Sequence, residues 1–316
     1  CWRALLKAEM QFNLMFITSF FVIEPRWIRG GISYRYVGLY GSIIKALDRD
    51  SRVYWYSIRD STLRIVCNSS PISEYRFGLL RAGLRAISET LKRGLPLIVI
   101  IAYPYGIPKV LKVHEYFALI FVLKLASVMK RAYLLVDDFD PPVEAAYVFS
   151  KDEPPGLLVL YYRARDFLTF RLATVVMTVS ESFGQYFGML YRITEKILVV
   201  PNGCLMEYVE QFPPRKEGSI MVLYAGHALK VNDVDKLVMA VKGLRERGLQ
   251  IDLTVAGRKM MDLPAWVDTV SYEWPTFIEK VISKADICVI PYPPSFLLRN
   301  FASPAKLYDY MAAGKP

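Results

Sequence analysis

Short apolar runs alternating with segments of helical period constrain this chain more than any other feature. In the second half a strand over 219–225 is followed by Val234, Leu237, Val238, Val241 and Leu244 at helical spacing. A strand over 250–256, a short helix over 277–285 and a strand over 286–292 come next. A strand separated from its successor by a helix cannot close a hairpin. It returns by a crossover, and the outcome is a parallel sheet with right-handed connections. Such sheets bind ligands beyond the carboxyl ends of their strands, where Gly226, Pro291 and the loop before Ser303 fall.

The first half repeats the alternation less regularly. Strands are expected over 14–23, 52–57, 64–67, 97–102, 133–136, 175–180 and 196–200. Helices are expected over 36–47, 75–92, 113–130 and 161–173. A chain of 316 residues exceeds what one core usually holds. Residues 211–218, Gln-Phe-Pro-Pro-Arg-Lys-Glu-Gly, have the composition of a linker. Two domains follow, over 1–212 and 213–316.

Hydrophobic residues make up 53% of the chain and mean hydropathy is +0.25, which points to large buried parallel sheets or to contact with a membrane surface. The net charge of +10 implies an anionic partner: nucleotide phosphates, acidic lipid head groups or nucleic acid. Cys1, Cys67, Cys204 and Cys288 lack any paired metal or redox spacing, which fits a reducing compartment. The apolar runs 14–23 and 117–128 are too short to span a bilayer, and Lys124 interrupts the second. The chain opens on Cys1 and closes on Lys315 and Pro316, so a fragment is expected.

The residues from Ser303 to Pro316, Ser-Pro-Ala-Lys-Leu-Tyr-Asp-Tyr-Met-Ala-Ala-Gly-Lys-Pro, read as a short helix opened by Ser303 and Pro304 and stopped at Gly314. Outward N–H groups at such a start accept a phosphate. Lys306 and Asp309, three apart, share one side of the helix. A cation and a solvent-reachable carboxylate there suit a nucleoside diphosphate, with the acid accepting from ribose hydroxyls. The segment resembles the nucleotide-sugar motif of the retaining GT-B glycosyltransferases of family four, in the variant with Ser-Pro-x-Lys-Leu in front. Asp309 stands where that family's second acid belongs, and Phe301 where its first would be.

The resemblance implies two doubly wound Rossmann-like α/β domains facing across a cleft, here with the second domain incomplete at its carboxyl end. It also assigns roles. Gly226 closes a strand, His227 replaces the family's arginine, and Lys230 matches the lysine that holds the diphosphate. Gly30 and Gly31, after the first strand, match the pair that lets the backbone approach the donor. Ser303, Pro304, Lys306, Leu307 and Asp309 complete the donor contacts. Pro201, Asn202 and Gly203 match a fold landmark without a chemical role.

Asp137, Asp138 and Asp140 follow a first-half strand, and Asp138 and Asp140 are candidates to orient an acceptor hydroxyl. Capping of the turn at Pro141 and Pro142 is the plain alternative. No metal is expected to be required, and no cofactor beyond the nucleotide-sugar co-substrate. Tyr161, Tyr162, Arg163, Arg165 and Arg171 share one helix. They suggest bases or anionic lipid as partners, or an ordinary amphipathic helix with solvated arginines.

The chain is therefore read as a retaining glycosyltransferase that moves a sugar from a nucleoside-diphosphate donor to a glycan or lipid-linked hydroxyl. Its expected location is the cytoplasm, peripheral on the inner membrane face. A nucleotide-sugar 2-epimerase and an inactive glycosyltransferase-like scaffold are the alternatives. A nucleic-acid-binding module has only the charge in its favour.

Overall fold

The computed structural model describes residues 12–18, 35–47, 51–67, 70–104, 113–141, 143–144, 147, 153–204, 212, 218–226, 233–257, 262–271, 276–292 and 300–316. These fall into two compact units, one holding the first strand and Tyr40–Pro201, the other holding residues 35–39 and Asn202–Pro316.

The first unit is built on an eight-stranded sheet of order β4-β3-β2-β1-β5-β6-β7-β8. Its strands are β1 (Asn13–Thr18), β2 (Val53–Ser57), β3 (Thr62–Cys67), β4 (Ser70–Arg76), β5 (Leu97–Tyr103), β6 (Ala132–Asp138), β7 (Val175–Thr178) and β8 (Ile197–Val199). All pairings from β2 through β1 to β8 are parallel, and the two antiparallel pairings, β2 with β3 and β3 with β4, lie at one edge, so β3 alone runs against the sheet. Every residue of β1, β2 and β5 is buried. Strands covered on both faces need no polar alternation, which is why they read as unbroken apolar runs.

Four helices follow the strands in order: α1 (Gly41–Ala46, after a π-helical turn over Tyr36–Tyr40), α2 (Leu79–Lys92), α3 (Val113–Val128) and α4 (Gly156–Leu172). A fifth, α5 (Glu181–Tyr191), starts where the Ser180 hydroxyl accepts the Phe183 N–H at 3.2 Å. It stops at Arg192, whose φ of 55° is left-handed. Right-handed crossovers put α3, α4 and α5 on one face of the sheet, where α2 packs on α3, α3 on α4 and α4 on α5.

The helix expected over 75–92 is shorter than its sequence pattern suggests. Tyr75 and Arg76 belong to β4, where Tyr75 lies opposite Leu63 on β3. The Arg85 guanidinium sits 3.8 Å over the Tyr75 ring, so a helix residue holds the strand in place.

The second unit has a four-stranded parallel sheet of order β11-β10-β9-β12. Its strands are β9 (Ile220–Ala225), β10 (Ile251–Ala256), β11 (Asp268–Val270) and β12 (Ile287–Cys288), and its helices α6 (Val234–Glu246), α7 (Thr276–Lys280) and α8 (Ala305–Ala312). Val234, Val238 and Val241 of α6 pack with Tyr224, Leu253 and Val255, as the helical spacing predicts. The strand expected over 286–292 shortens to β12, and β11 was not foreseen.

The units divide between Pro201 and Asn202, ahead of the expected boundary after residue 212. Hydrogen bonding explains the shift. The Asn202 N–H donates to Ser303 Oγ at 3.1 Å, its side-chain amide donates to the Ser303 carbonyl, and its Oδ1 accepts from Arg35 Nη1 at 2.9 Å. Phe212 N–H donates to the Ala313 carbonyl at 3.3 Å. Both ends of the linker region are thus tied into the second unit.

Asn13 anchors the first sheet. Fully buried, it accepts from the Arg52 N–H and from Arg93 Nη1, each at 3.0 Å, and donates to Thr90 Oγ1 at 3.1 Å. Asn13→Ala takes the acceptor away from the Arg52 N–H at the start of the sheet, so a loss of about 1–3 kcal/mol is expected in denaturant unfolding of the first unit.

Candidate functional site

In the second unit the chemistry gathers where β9 and β10 end. Gly226 (φ +153°) donates its N–H to Ala256 O at 2.8 Å, and Gly257 (φ +149°) donates to Val270 O at 2.9 Å. A Cβ on Gly257 would lie 2.3 Å from the Gly226 carbonyl oxygen. A Cβ on Gly226 would lie 2.6 Å from Lys306 Nζ and 2.9 Å from Tyr224 Oη. Both positions need a backbone angle that side chains disfavour, and both glycines spend their own N–H groups in the sheet.

Helix α8 is fixed to this place by its own side chains. Tyr310 Oη accepts the Ala225 N–H at 2.8 Å, and Lys306, one turn earlier, holds its ammonium 4.6 Å over the Tyr224 ring. Lys306 is half-buried as a residue, but its charged end is enclosed. Desolvation lowers its pKa to about 8. No acid among the described residues pairs with it.

Ser303 does not cap α8. Pro304 is the capping residue, no side chain caps the helix, and Ala305 is its first helical residue. The Ser303 hydroxyl is taken up by the Asn202 N–H and by Tyr308 Oη at 2.9 Å. Gly314 (φ +68°) ends the helix as expected, with Lys315 N–H bonded to Tyr310 O at 2.9 Å. Leu307 faces solvent.

Asp309 departs from expectation: it is 5% exposed, not a solvent-reachable carboxylate. It lies near Cys204, whose thiol is pushed up by burial first and by the Asp309 charge second. The i, i+3 spacing from Lys306 does set both residues toward the body of the unit.

In the first unit the carboxyl end of β6 carries Asp137 and Asp138, both fully buried and both within the strand, not in a loop. Asp137 accepts from Tyr40 Oη at 2.8 Å. Neither carboxylate oxygen of Asp138 has a hydrogen-bond partner among the described residues. Its pKa is driven well above the ordinary carboxylate value by burial, then by the charges of Asp166, Asp140 and Asp137. The Asp140 backbone amide favours the charge but falls short of hydrogen-bond geometry. Asp140 itself is half-buried.

Beside it Asp166, on α4, accepts from Tyr103 Oη, from Tyr191 Oη at 3.1 Å and from Arg165 Nη2 at 3.2 Å. Arg165 Nε also donates to Tyr103 Oη at 3.0 Å. Burial raises Asp166, and Arg165 and Tyr103 pull it back. Asp138, without a donor, is thus the acid that holds its proton. Arg163 donates to Glu144 at 2.8 Å and to Tyr191 Oη at 3.1 Å. The expectation of solvated arginines on α4 fails for both: Arg165 is buried and Arg163 half-buried in this network.

Gly30, Gly31, His227 and Lys230 lie outside the described residues. Sequence reasoning missed Tyr224, Tyr310 and Gly257. A signal existed for the last, since glycine follows β10 just as it follows β9.

No protein-family model matches the chain, and no curated protein matches its sequence. Solved structures do. Sucrose-phosphate synthase from Thermosynechococcus elongatus superposes with a TM-score of 0.58 at 14% identity, over 97% of this chain and 80% of that one. The catalytic domain of starch synthase IV from Arabidopsis thaliana, bound to ADP and acarbose, gives 0.55 at 10% identity, over 89% and 78%. Anabaena HepE, in complex with UDP and glucose, gives 0.51 at 14% identity, over 97% and 80%. The chain has the Rossmann-like α/β fold of GT-B glycosyltransferases.

The buried acid at position 138 has a pH signature. Its pKa is higher folded than unfolded, so the native state holds a proton the unfolded chain has released, and stability falls as pH rises above the ordinary carboxylate range. Asp138→Asn removes that proton linkage. The variant should match the parent near pH 4 and exceed it increasingly at higher pH, by up to about 1.4 kcal/mol per pH unit, in thermal melts across pH.

Proposed function

We propose that this chain transfers a glycosyl group from a nucleoside-diphosphate sugar to a hydroxyl acceptor, with retention of configuration. The observation that carries the reading is the Lys306 ammonium, desolvated and without an acidic partner among the described residues, beside Gly226 at the carboxyl end of β9. An enclosed cation without a counter-charge is costly until an anion arrives. A diphosphate supplies it. The structures that share the fold and contain UDP or ADP support this choice of ligand.

As the glycosidic bond breaks, negative charge accumulates on the departing diphosphate. A fixed cation aimed at that charge stabilises the transition state more than the ground state. Lys306 takes this role in the second unit, and Lys230 joins it on the strength of the sequence motif. Glycine at 226 and 257 keeps side chains out of the space beyond the strand ends, where a phosphate reaches Lys306. Burial of Asp309 removes the open-carboxylate version of the ribose contact; a ribose meets it only by displacing its present neighbours.

In the first unit Asp138 is fully buried, so we assign the acceptor hydroxyl, which belongs to a glycan or a lipid-linked sugar, to half-buried Asp140, with Asp138 behind it at the strand end. The second reading, a binding protein that has lost turnover, is favoured by one observation, the burial of Asp309. Turnover separates the two. Slow hydrolysis or transfer with any member of a nucleotide-sugar panel, abolished in Lys230→Ala, is expected; tight UDP binding with no turnover at all supports the binding protein.

Titration calorimetry with UDP and ADP tests the donor site itself. Bound diphosphate raises the Lys306 pKa from about 8, so binding near pH 8 to 9 takes up a proton, visible as a dependence of the heat on buffer ionisation enthalpy. Affinity weakens as pH rises through that range, because the free lysine is then neutral. Lys306→Ala should lose about 1.5–3 kcal/mol of binding and the proton uptake together. Unchanged affinity in that variant removes Lys306 from the site.

A further inference from the structure

The outer surface of the first unit's helical layer is apolar where a water-facing surface should be polar. On α4 Arg165 and Asp166 are buried and Arg171, in the last turn, is exposed, whereas Leu157 and Leu160, in the first turns and away from the carboxyl end, are 83% and 65% exposed. Phe167 and Leu168 continue the exposed side. Helix α3 is apolar over most of its surface, interrupted by His114, Glu115, Lys124 and Ser127. It buries Tyr116, Leu119, Ile120 and Leu123, yet Phe121, Leu125 and Val128 stand in solvent at i, i+4 and i+7. A helix of that kind normally lies in a core or against lipid. Met129, after α3, and Met189, on α5, are more than half exposed as well.

A cationic border surrounds the carboxyl ends of these same helices. Lys124, Lys130 and Arg131 lie at the end of α3, Arg171 at the end of α4, and Arg192 and Lys196 after α5. Glu195 is the acid that interrupts it. The acids of α3 and α4 do not reach this face: Glu115 sits in the first turn of α3, where it accepts the Leu80 N–H, and Asp166 is buried. Lys196 donates to the carbonyls of Arg171 and Ala173, so part of the cluster caps helix ends. Even so, its pKa is lowered by burial and then by repulsion from Lys124, a sign that the cations are closer together than their own stability favours.

We propose that the outward face at the carboxyl ends of α3, α4 and α5 is a docking surface for an anionic lipid bilayer. Leucine, phenylalanine and methionine side chains enter the acyl boundary while the border of lysine and arginine meets acidic head groups. Charge selects this occupant. A two-fold dimer through the same face sets the cationic border against its own copy, which repels. Nucleic acid accounts for the cations but leaves the apolar residues uncovered. No helix among the described residues is long and apolar enough to cross a membrane, so the contact is with one surface.

Docking to lipid needs neither nucleotide nor transfer, so its test is independent of the donor site. The full chain is sedimented with vesicles of phosphatidylcholine alone and of phosphatidylcholine containing phosphatidylglycerol. It should pellet with the anionic vesicles only, and less so as salt is raised. Lys124→Gln/Lys130→Gln should lower partitioning about thirtyfold, the equivalent of about 1 kcal/mol for each basic residue near an anionic surface. Leu125→Ser/Val128→Ser should lower it too, with every charge intact, while both variants keep the parent's thermal transition and UDP affinity. Equal binding to both vesicle types, or wild-type binding by both variants, overturns the proposal. So does self-association in sedimentation velocity that Leu125→Ser/Val128→Ser abolishes in a chain that ignores vesicles.

Discussion

A parallel sheet covered on both faces gives polar side chains nowhere to sit except at its strand ends. Backbone groups are satisfied by the ladder, and the side chains between are sealed from water. In the first unit β5 is apolar along its whole length, and its one polar handle is the hydroxyl of its last residue, Tyr103. The polar residues of the sheet collect at the margins: Asn13 at the start of β1, and Thr18 at its end, where its hydroxyl accepts from Trp55 Nε1 at 2.7 Å. Asp137 and Asp138 close β6. Chemistry is confined to the edges by the same burial that stabilises the centre.

The two units use that constraint with opposite sign. At the end of β6 the uncompensated group is an acid, Asp138, pushed toward its neutral form. At the end of β9 it is a base, Lys306, pushed the same way. In each case desolvation is the first cause, and in each case no side chain among the described residues supplies the partner that would restore the charge. Structural ion pairs usually bring their counter-charge with them, as Arg165 and Asp166 do. A group held without one is poised for something else, a proton or a ligand.

Much of this was legible in the sequence because it depends on local pattern. The strand–helix alternation, the glycine after β9, the stop at Gly314 and the placing of Lys306 and Asp309 on one side of α8 all follow from spacing along the chain. What was not legible depends on distant partners. Ser303 reads as a helix cap until Asn202 claims its hydroxyl from a hundred positions away in sequence, |i−j| of 101. Tyr75 reads as helical until a hairpin pairs it with Leu63. Asp309 reads as open because nothing local says what covers it. The unit boundary moved for the same reason, since linker composition does not report that Asn202 and Phe212 are already bonded to the second unit.

The inverted helix α4 joins the interior of the first unit to its surface. Tyr103 ends β5 beneath α4, and its hydroxyl needs partners in a site closed to water; Arg165 and Asp166 provide both a donor and an acceptor. Arg163 turns the same way, toward Glu144 and the tyrosines of α5. With Arg165 and Asp166 turned inward, the large exposed side chains of α4 are leucine and phenylalanine along its length and Arg171 in its last turn. Were the network merely structural, a polar outer face would cost the fold nothing, because Leu157 and Leu160 support no core. The apolar exterior therefore answers to something outside the fold, and the cations at the helix ends indicate its charge.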